Sequence, residues 1–336
     1  MLDVTVVLLE DGFSSTAVMP VEIFHSAGQL WNDLHGSPPR PAFRVRTVSL
    51  DGGAVRSAHG LRVAPHAAMD AVERTDIVIV STSSLDLDLA MVANSALLPW
   101  LRRQHEQGAL VVGVCMGAAY LAEAGLLDGR IATTHWALAD KFAARYPKVR
   151  WRPDQFITED NRLLCSGGVF ASVDVSLYLV EKLCGHEMAV QTAKALLLPM
   201  PRIHQSGYAM HTVSQAHGDE RIRNVEAFLQ ANFRHDISTQ SLASQAGLGE
   251  RTFVRHFKAA TGQLPASYVQ ALRIQAAKAM LERDAKPIQA ISTDVGYDDV
   301  AFFRSLFKRI TSMTPTEYRA HFAPLSVRGE AALEAP

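Results

Sequence analysis

An α/β domain built on a parallel sheet, followed by an all-helical domain, is the fold class this sequence predicts. Three observations predict it. Short β-branched runs alternate with Ala/Leu-rich amphipathic stretches over residues 1–197, the chain turns almost wholly helical from about 220, and the helical part repeats itself.

"VTVVLL" (4–9), "FRVRTVSL" (43–50), "DIVIVS" (76–81) and "ALVVGV" (109–114) read as strands. Helices are predicted near 19–34, 88–107, 136–145, 170–184 and 186–197, with short strands around 149–151 and 163–166. Continuously apolar strands separated by helices imply a parallel sheet covered on both faces, hence three layers. The segment 198–219, with two prolines, two glycines and three histidines, reads as an interdomain linker. Its His204, His211 and His217 are expected to be solvated linker side chains and not metal ligands. The helical domain spans 220–322, and 323–336 is a tail.

Composition bounds the partners. With 336 residues, 48% apolar content and a formal net charge of −1, the chain is neither disordered nor a uniformly basic nucleic-acid coat. Any DNA-binding surface is therefore local. Cys115, Cys165 and Cys184 are widely spaced and form no CxxC pair, so neither a disulfide framework nor a thiolate zinc site is expected. A reducing cytoplasm fits this usage. Asp3 and Glu10 interrupt the first apolar run, which reads as a strand and not as a signal peptide. No stretch approaches the roughly 18 uninterrupted apolar residues of a membrane span. No cofactor or metal is expected.

The repeat is specific. "FVRHFKAATGQLPASY" (253–268) aligns with "FRSLFKRITSMTPTEY" (303–318), pairing Phe253 with Phe303, Phe257 with Phe307, Lys258 with Lys308 and Tyr268 with Tyr318. Upstream, "ISTQSLASQAGL" (237–248) answers "IQAISTDVGY" (288–297), each with a turn glycine, Gly247 and Gly296. Each copy is thus a short helix, a turn and a second helix, the signature of a helix-turn-helix unit. Phe253 and Phe257 lie on one face. Arg251 and Arg255, two positions either side of Phe253 and so about 200° around the helix, project the other way. Thr252, Arg255, Arg251 and Lys258 in the first copy, and Ala301, Arg304, Ser305 and Lys308 in the second, are the expected contacts to double-stranded DNA. Residues 250–309 carry ten Lys/Arg against six acids, a net of +4.

Residues 220–322, with "QALRIQAAKAMLERDAKPIQAI" (270–291) and the closing "TPTEYR" (314–319), resemble the AraC/XylS family of transcription regulators. The resemblance implies two helix-turn-helix units joined by a long helix. Gly249 and Ser312 depart from the residues usual at two helix ends.

"LVVGVCMGAAYLAEAG" (110–125) places Cys115 at a strand-turn-helix corner. Gly113 and Gly117 relieve crowding there, and partial positive charge at the helix start is expected to favour a thiolate. His135 in "IATTHW" and Glu22 in "MPVEIF" are expected to converge on it beyond the carboxyl ends of the strands. Met116, Trp136 and Ser83 complete the expected pocket. These residues, with "GLLDGRIATTHW" (125–136) and "LLCSGGVFASVDVSLYLVEKLCG" (163–185), resemble the PfpI-type, glutamine-amidotransferase-like superfamily and its isocyanide hydratases. The resemblance implies a flavodoxin-like fold, with Cys115, His135 and Glu22 at the positions of its cysteine, histidine and orienting acid. "STSSLD" (81–86) in place of a Gly-rich loop, and Met116 after the cysteine, depart from active members. The expectation is a vestigial triad: a small metabolite, such as a nitrogen compound, binds there and controls a DNA-binding homodimer formed through the first domain. A Cys-dependent hydratase or hydrolase and a thiol redox sensor are the alternatives.

Overall fold

The computed structural model describes residues 1–209, 217–283 and 285–324. It divides into two compact units, the first ending at Ser206 and the second beginning at Gly207.

The strands of the first unit are β1 (Leu2–Val7), β2 (Phe43–Ser49), β3 (Val55–Arg56), β4 (Arg62–Val63), β5 (Ala67–Ala68), β6 (Ile77–Val80), β7 (Leu110–Val114), β8 (Ile131–Ala132), β9 (Arg150–Trp151), β10 (Ile157–Asp160) and β11 (Leu163–Ser166). Seven of them form one sheet in the order β10-β11-β7-β6-β1-β2-β5. All neighbours run parallel except β10 and β11. The register sets Val4 beside Val45 and Ile77, and Val78 beside Val111. Val4, Val6, Ile77, Val78, Val80 and Val112 are wholly buried, as a sheet covered on both faces requires.

The first unit's helices are α1 (Ser15–Ser26), α2 (Leu30–Leu34), α3 (Leu87–Ala93), α4 (Leu97–Glu106), α5 (Gly117–Glu123), α6 (Ala139–Arg145), α7 (Ala171–Cys184) and α8 (His186–Ala195). Helix α1 packs on α7 and β2, while α4 packs on α5 and both meet β7, giving the helical layers. The helix expected over 19–34 is two, because Gly28 adopts φ +77° and a Cβ there would meet Arg40 O at 2.0 Å. The helix expected over 88–107 is also two. Asn94 folds its amide back onto Ala90 O (2.8 Å) and onto Tyr120 Oη (3.0 Å), ending α3 by competing with the helix ladder.

The expected linker requires correction at both ends. Residues 198–206 belong to the first unit: Phe156 N donates to Ile203 O, Gln155 pairs with His204, and Arg202 grips the buried Asp174 carboxylate at 2.7 Å. His204 is exposed as expected, and His211 lies outside the described residues. His217 is not solvated. Its side chain is 10% exposed and its Nε2 lies 2.8 Å from the buried Glu226 carboxylate.

The second unit holds α9 (Glu220–Asn232), α10 (Thr239–Gln245), α11 (Glu250–Thr261), α12 (Pro265–Arg283), α13 (Ile288–Asp294), α14 (Val300–Thr311) and α15 (Pro315–Phe322). They form two lobes, each with its own apolar cluster. The first gathers Val225, Leu229, Leu242, Phe253, Phe257 and Tyr268; the second gathers Ile274, Leu281, Ile291, Phe303, Phe307 and Tyr318. Helix α12 serves both, offering Tyr268 and Leu272 to one and Ile274, Ala277 and Leu281 to the other.

Duplication extends to the polar atoms. Thr261 Oγ1 donates to Phe257 O and Thr311 Oγ1 to Phe307 O, at 2.7 and 2.8 Å. Tyr268 donates to Glu226 and Tyr318 to Glu282. Helices α11 and α14 end alike, in left-handed residues Gly262 (φ 74°) and Ser312 (φ 63°), the latter without glycine's freedom.

Lys278 of α12 is buried in the second lobe, donates to Ala209 O at 2.7 Å and lies over the Tyr318 ring. Burial lowers its pKa to about 8 from an ordinary 10.5. Across that interval the unfolded chain binds the proton that the native chain has lost, so this lysine makes stability rise with pH. Urea unfolding of Lys278→Met is expected to lose that rise between about pH 8 and 10. An unchanged slope would contradict the buried placement.

Candidate ligand pocket and nucleic-acid interface

The sheet order reverses about β1, since β2 follows on one side and β6 and β7 on the other. Ligands of open α/β sheets bind outside the carboxyl ends of strands at such a reversal. Cys115 follows β7 there, Ser81 and Thr82 follow β6, and the Gly12 turn follows β1.

Cys115 adopts φ 55°, a strained conformation for a residue with a side chain. Its backbone is fixed on three sides: the amide donates to Ser166 O (2.9 Å), and the carbonyl accepts from Ala118 N (3.3 Å) and Thr134 Oγ1 (3.2 Å). Both flanking glycines are sterically required. A Cβ on Gly113 would lie 2.6 Å from Ala118 N, and one on Gly117 would lie 2.4 Å from Val80 O.

The expected thiolate is a correction. Cys115 is 3% exposed, and burial pushes its thiol above the ordinary range, outweighing the Thr82 hydroxyl and the Met116 and His135 amides that bond to the sulfur. The short helix α5 does not overcome that desolvation. Alkylation of native protein at pH 8 is therefore expected to leave Cys115 unmodified while the denatured chain reacts fully. Rapid native labelling of Cys115 in a peptide map would refute this.

His135 is half-buried, and burial lowers its pKa, keeping the imidazole neutral. Its Nδ1 accepts from Ala137 N at 3.1 Å, which leaves the proton on Nε2. It reaches the sulfur through its backbone amide, and its ring is not among the groups acting on the thiol. Glu22 is exposed on α1 and does not join the corner, a correction that follows from helix phase: the neighbours Ile23 and Phe24 take the buried face. The residue by which α1 meets the corner is Thr16, whose buried Oγ1 accepts from Thr82 N at 3.0 Å. Met116 is buried as the N-cap of α5. Ser83 is 3% exposed and accepts from Tyr120 Oη at 2.7 Å, so it is engaged in the core.

Trp136 is half-buried beside His135, with ring centroids 5.3 Å apart. Its amide donates to Gln205 Oε1 (3.3 Å), while Gln205 Nε2 donates to Thr134 O (2.8 Å) and Gln155 O (3.0 Å). Gln205 is thus a buried plug that ties the His135 loop to the segment leading out of the unit. Nothing in a segment rich in Pro and Gly signals it. A cavity of about 20 Å³, room for one water, lies on the β1 side of Thr82, lined by Leu8, Phe13, Ser57 and Thr82 among others. None of the six residues expected to bind ligand lines it.

In the second unit Arg251, Arg255, Lys258, Ala301, Arg304, Ser305 and Lys308 are exposed, and Thr252 is half-buried. Phe253, Phe257, Phe303 and Phe307 are wholly buried on the opposite faces of α11 and α14. Those five cations form no ion pair among the described residues. Asp299 caps α14 through Ala301 N and Phe302 N, whereas α11 starts at Gly249 with no side-chain cap. Phe302, not anticipated as a contact, is 47% exposed on α14. No helix among the described residues is long and apolar enough to cross a membrane.

Comparison with known proteins matches residues 4–182 to the DJ-1/PfpI family and residues 242–321 to a helix-turn-helix domain. The chain is 26% identical over 315 residues to the HTH-type transcriptional regulator CdhR of Pseudomonas aeruginosa, covering 93% of this chain and 90% of that one. It is 26% identical to the HTH-type transcriptional regulator GlxA of Rhizobium meliloti, covering 83% and 86%. An Isonitrile hydratase of Pseudomonas putida is 31% identical over 150 residues, covering 44% of this chain and 63% of that one. The fold is also that of Drosophila melanogaster DJ-1beta, with a TM-score of 0.50 at 21% identity over 59% of this chain and 98% of that one.

Proposed function

The chain belongs to the DJ-1/PfpI family and carries a C-terminal AraC-type helix-turn-helix domain, and from that premise we propose a transcriptional regulator controlled by a small effector. The protein binds double-stranded DNA in a sequence-specific way, in the cytoplasm, as a homodimer formed through the first unit. One observation carries the reading: two cationic helix faces, without ion pairs among the described residues and each backed by its own aromatic cluster, stand in tandem as two major-groove readers require.

The effector is a small nitrogen-containing metabolite held near Cys115, Met116, His135 and Trp136. Gln205 supports a route outward, since a ligand amide competing for Thr134 O or Trp136 N would release the segment that leaves the unit. A ligand acts only through differential affinity for the two states. The corner is inherited from an enzyme fold and does not turn over, because a protonated, buried thiol without an imidazole on its sulfur is a poor nucleophile. The likeness to an Isonitrile hydratase favours the opposite reading, which predicts isocyanide turnover lost in Cys115→Ala.

The test is full-length protein on promoter fragments at fixed salt. Arg255→Ala or Arg304→Ala is expected to cost about 1 to 3 kcal/mol and to relax selectivity at one base position. Lys258→Ala or Lys308→Ala should weaken binding evenly and reduce the salt slope by about 1. Absence of any discretely footprinted fragment would end the reading.

A further inference from the structure

The two reading helices are equivalent in fold and unlike in chemistry. At an offset of 50, the outermost positions are Arg251 and Arg255 on α11 but Ala301 and Ser305 on α14. Each pair stands two residues either side of a wholly buried phenylalanine, so each points about 160° away from the core side. The next position on the flank of each face is Thr252 in one copy and Phe302 in the other. Phe302 is 47% exposed, and its ring rests against Tyr297 with centroids 5.8 Å apart, which holds it in place. Packing on Tyr297 accounts for one side of the ring, and the exposed remainder is an apolar surface on a helix whose other outward residues are polar or small.

Major-groove chemistry distinguishes these surfaces. Guanine offers two acceptors that a guanidinium meets bidentately, whereas thymine offers a C5-methyl that takes alanine or phenylalanine. Resting on the proposed function, we infer that the site is divided: α11 reads guanine through Arg251 and Arg255, and α14 reads thymine methyl groups through Ala301 and Phe302. Arg304, Lys308 and Arg309 flank this apolar strip, and Ser305 lies within it. The two halves of the stretch read by one protomer therefore differ in base composition, and each protomer binds its stretch in one orientation.

Selection of full-length protein from a random duplex pool at fixed salt supplies the site. Repeating the selection with Phe302→Ser identifies the half that α14 contacts, because only that half should change. Thymines there are then replaced one at a time by uracil, which lacks only the methyl group. One or two replacements are expected to weaken wild-type binding about fourfold each, the worth of a buried methyl. Phe302→Ser should lose the thymine preference at the position Phe302 contacts while keeping the one due to Ala301, and Phe302→Leu should regain part of the difference. Wild-type protein indifferent to every uracil in that half would overturn the inference while leaving sequence-specific binding intact. A pool from which no sequence is enriched would overturn both.

Discussion

Phe307→Ala is expected to cost about 3 to 5 kcal/mol and to unfold the second lobe of the helical unit before the first. Phe307 is wholly buried, with Phe303 at 5.8 Å and Tyr318 at 5.5 Å between ring centroids. A truncated ring leaves a void that helices α13, α14 and α15 cannot close, because the neighbouring rings are set in tilted and edge-on contacts. The apolar clusters of the two lobes share no residue, only helix α12, so the damage is confined to one of them. Urea unfolding followed by hydrogen exchange should show early loss of protection over 288–322 with 220–262 retained. Phe257→Ala should give the mirror result. Uniform loss across both lobes would mean that the helical unit has a single cooperative core.

Why the lobes were legible in the sequence, and the pocket less so, follows from what each signal encodes. A phenylalanine pair four apart, repeated with its turn glycine 50 residues on, fixes a helix face by periodicity alone, and Phe253, Phe257, Phe303 and Phe307 are all buried. Strands β1, β6 and β7 were equally plain, since continuous β-branched runs have few other uses. Breaks were harder to see: α1 parts from α2 at Gly28 because of the neighbouring Arg40 carbonyl, a contact distant from the break in any local pattern.

The pocket failed for a further reason. Glu22 stands about two turns into α1, where helix phase turns it to solvent, and the buried Thr16 takes the place beside Thr82. The thiol's protonation depends on burial, which no residue adjacent to Cys115 reveals. Gln205 and Arg202 sit in a segment that composition marks as linker, yet their partners Thr134 and Asp174 are 71 and 28 residues away.

Arg273→Ala is expected to destabilise the helical unit by about 3 kcal/mol and to reduce affinity for a two-groove site more than for either half alone. Its guanidinium donates to Phe233 O (2.7 Å) and His235 O (2.9 Å) at the end of α9, and to Gly296 O (2.8 Å) in the turn before α14. It also lies 4.9 Å from the centre of the Tyr297 ring. One side chain of α12 thus pins the first lobe to the second lobe's turn. The approach is close enough that a Cβ on Gly296 would meet Arg234 O at 2.4 Å. Charge-assisted hydrogen bonds contribute about 1.5 to 3 kcal/mol each, and partial exposure of Arg273 reduces the total. Two helices reading successive major grooves must hold a separation of about 34 Å along the duplex, so freedom between the lobes lowers affinity wherever both helices engage. Arg273→Lys keeps the charge but not the three-way fork, and should recover little of either loss. If Arg273→Ala weakened half-site and full-site binding equally, the guanidinium would stabilise its own helix without setting the distance between the readers.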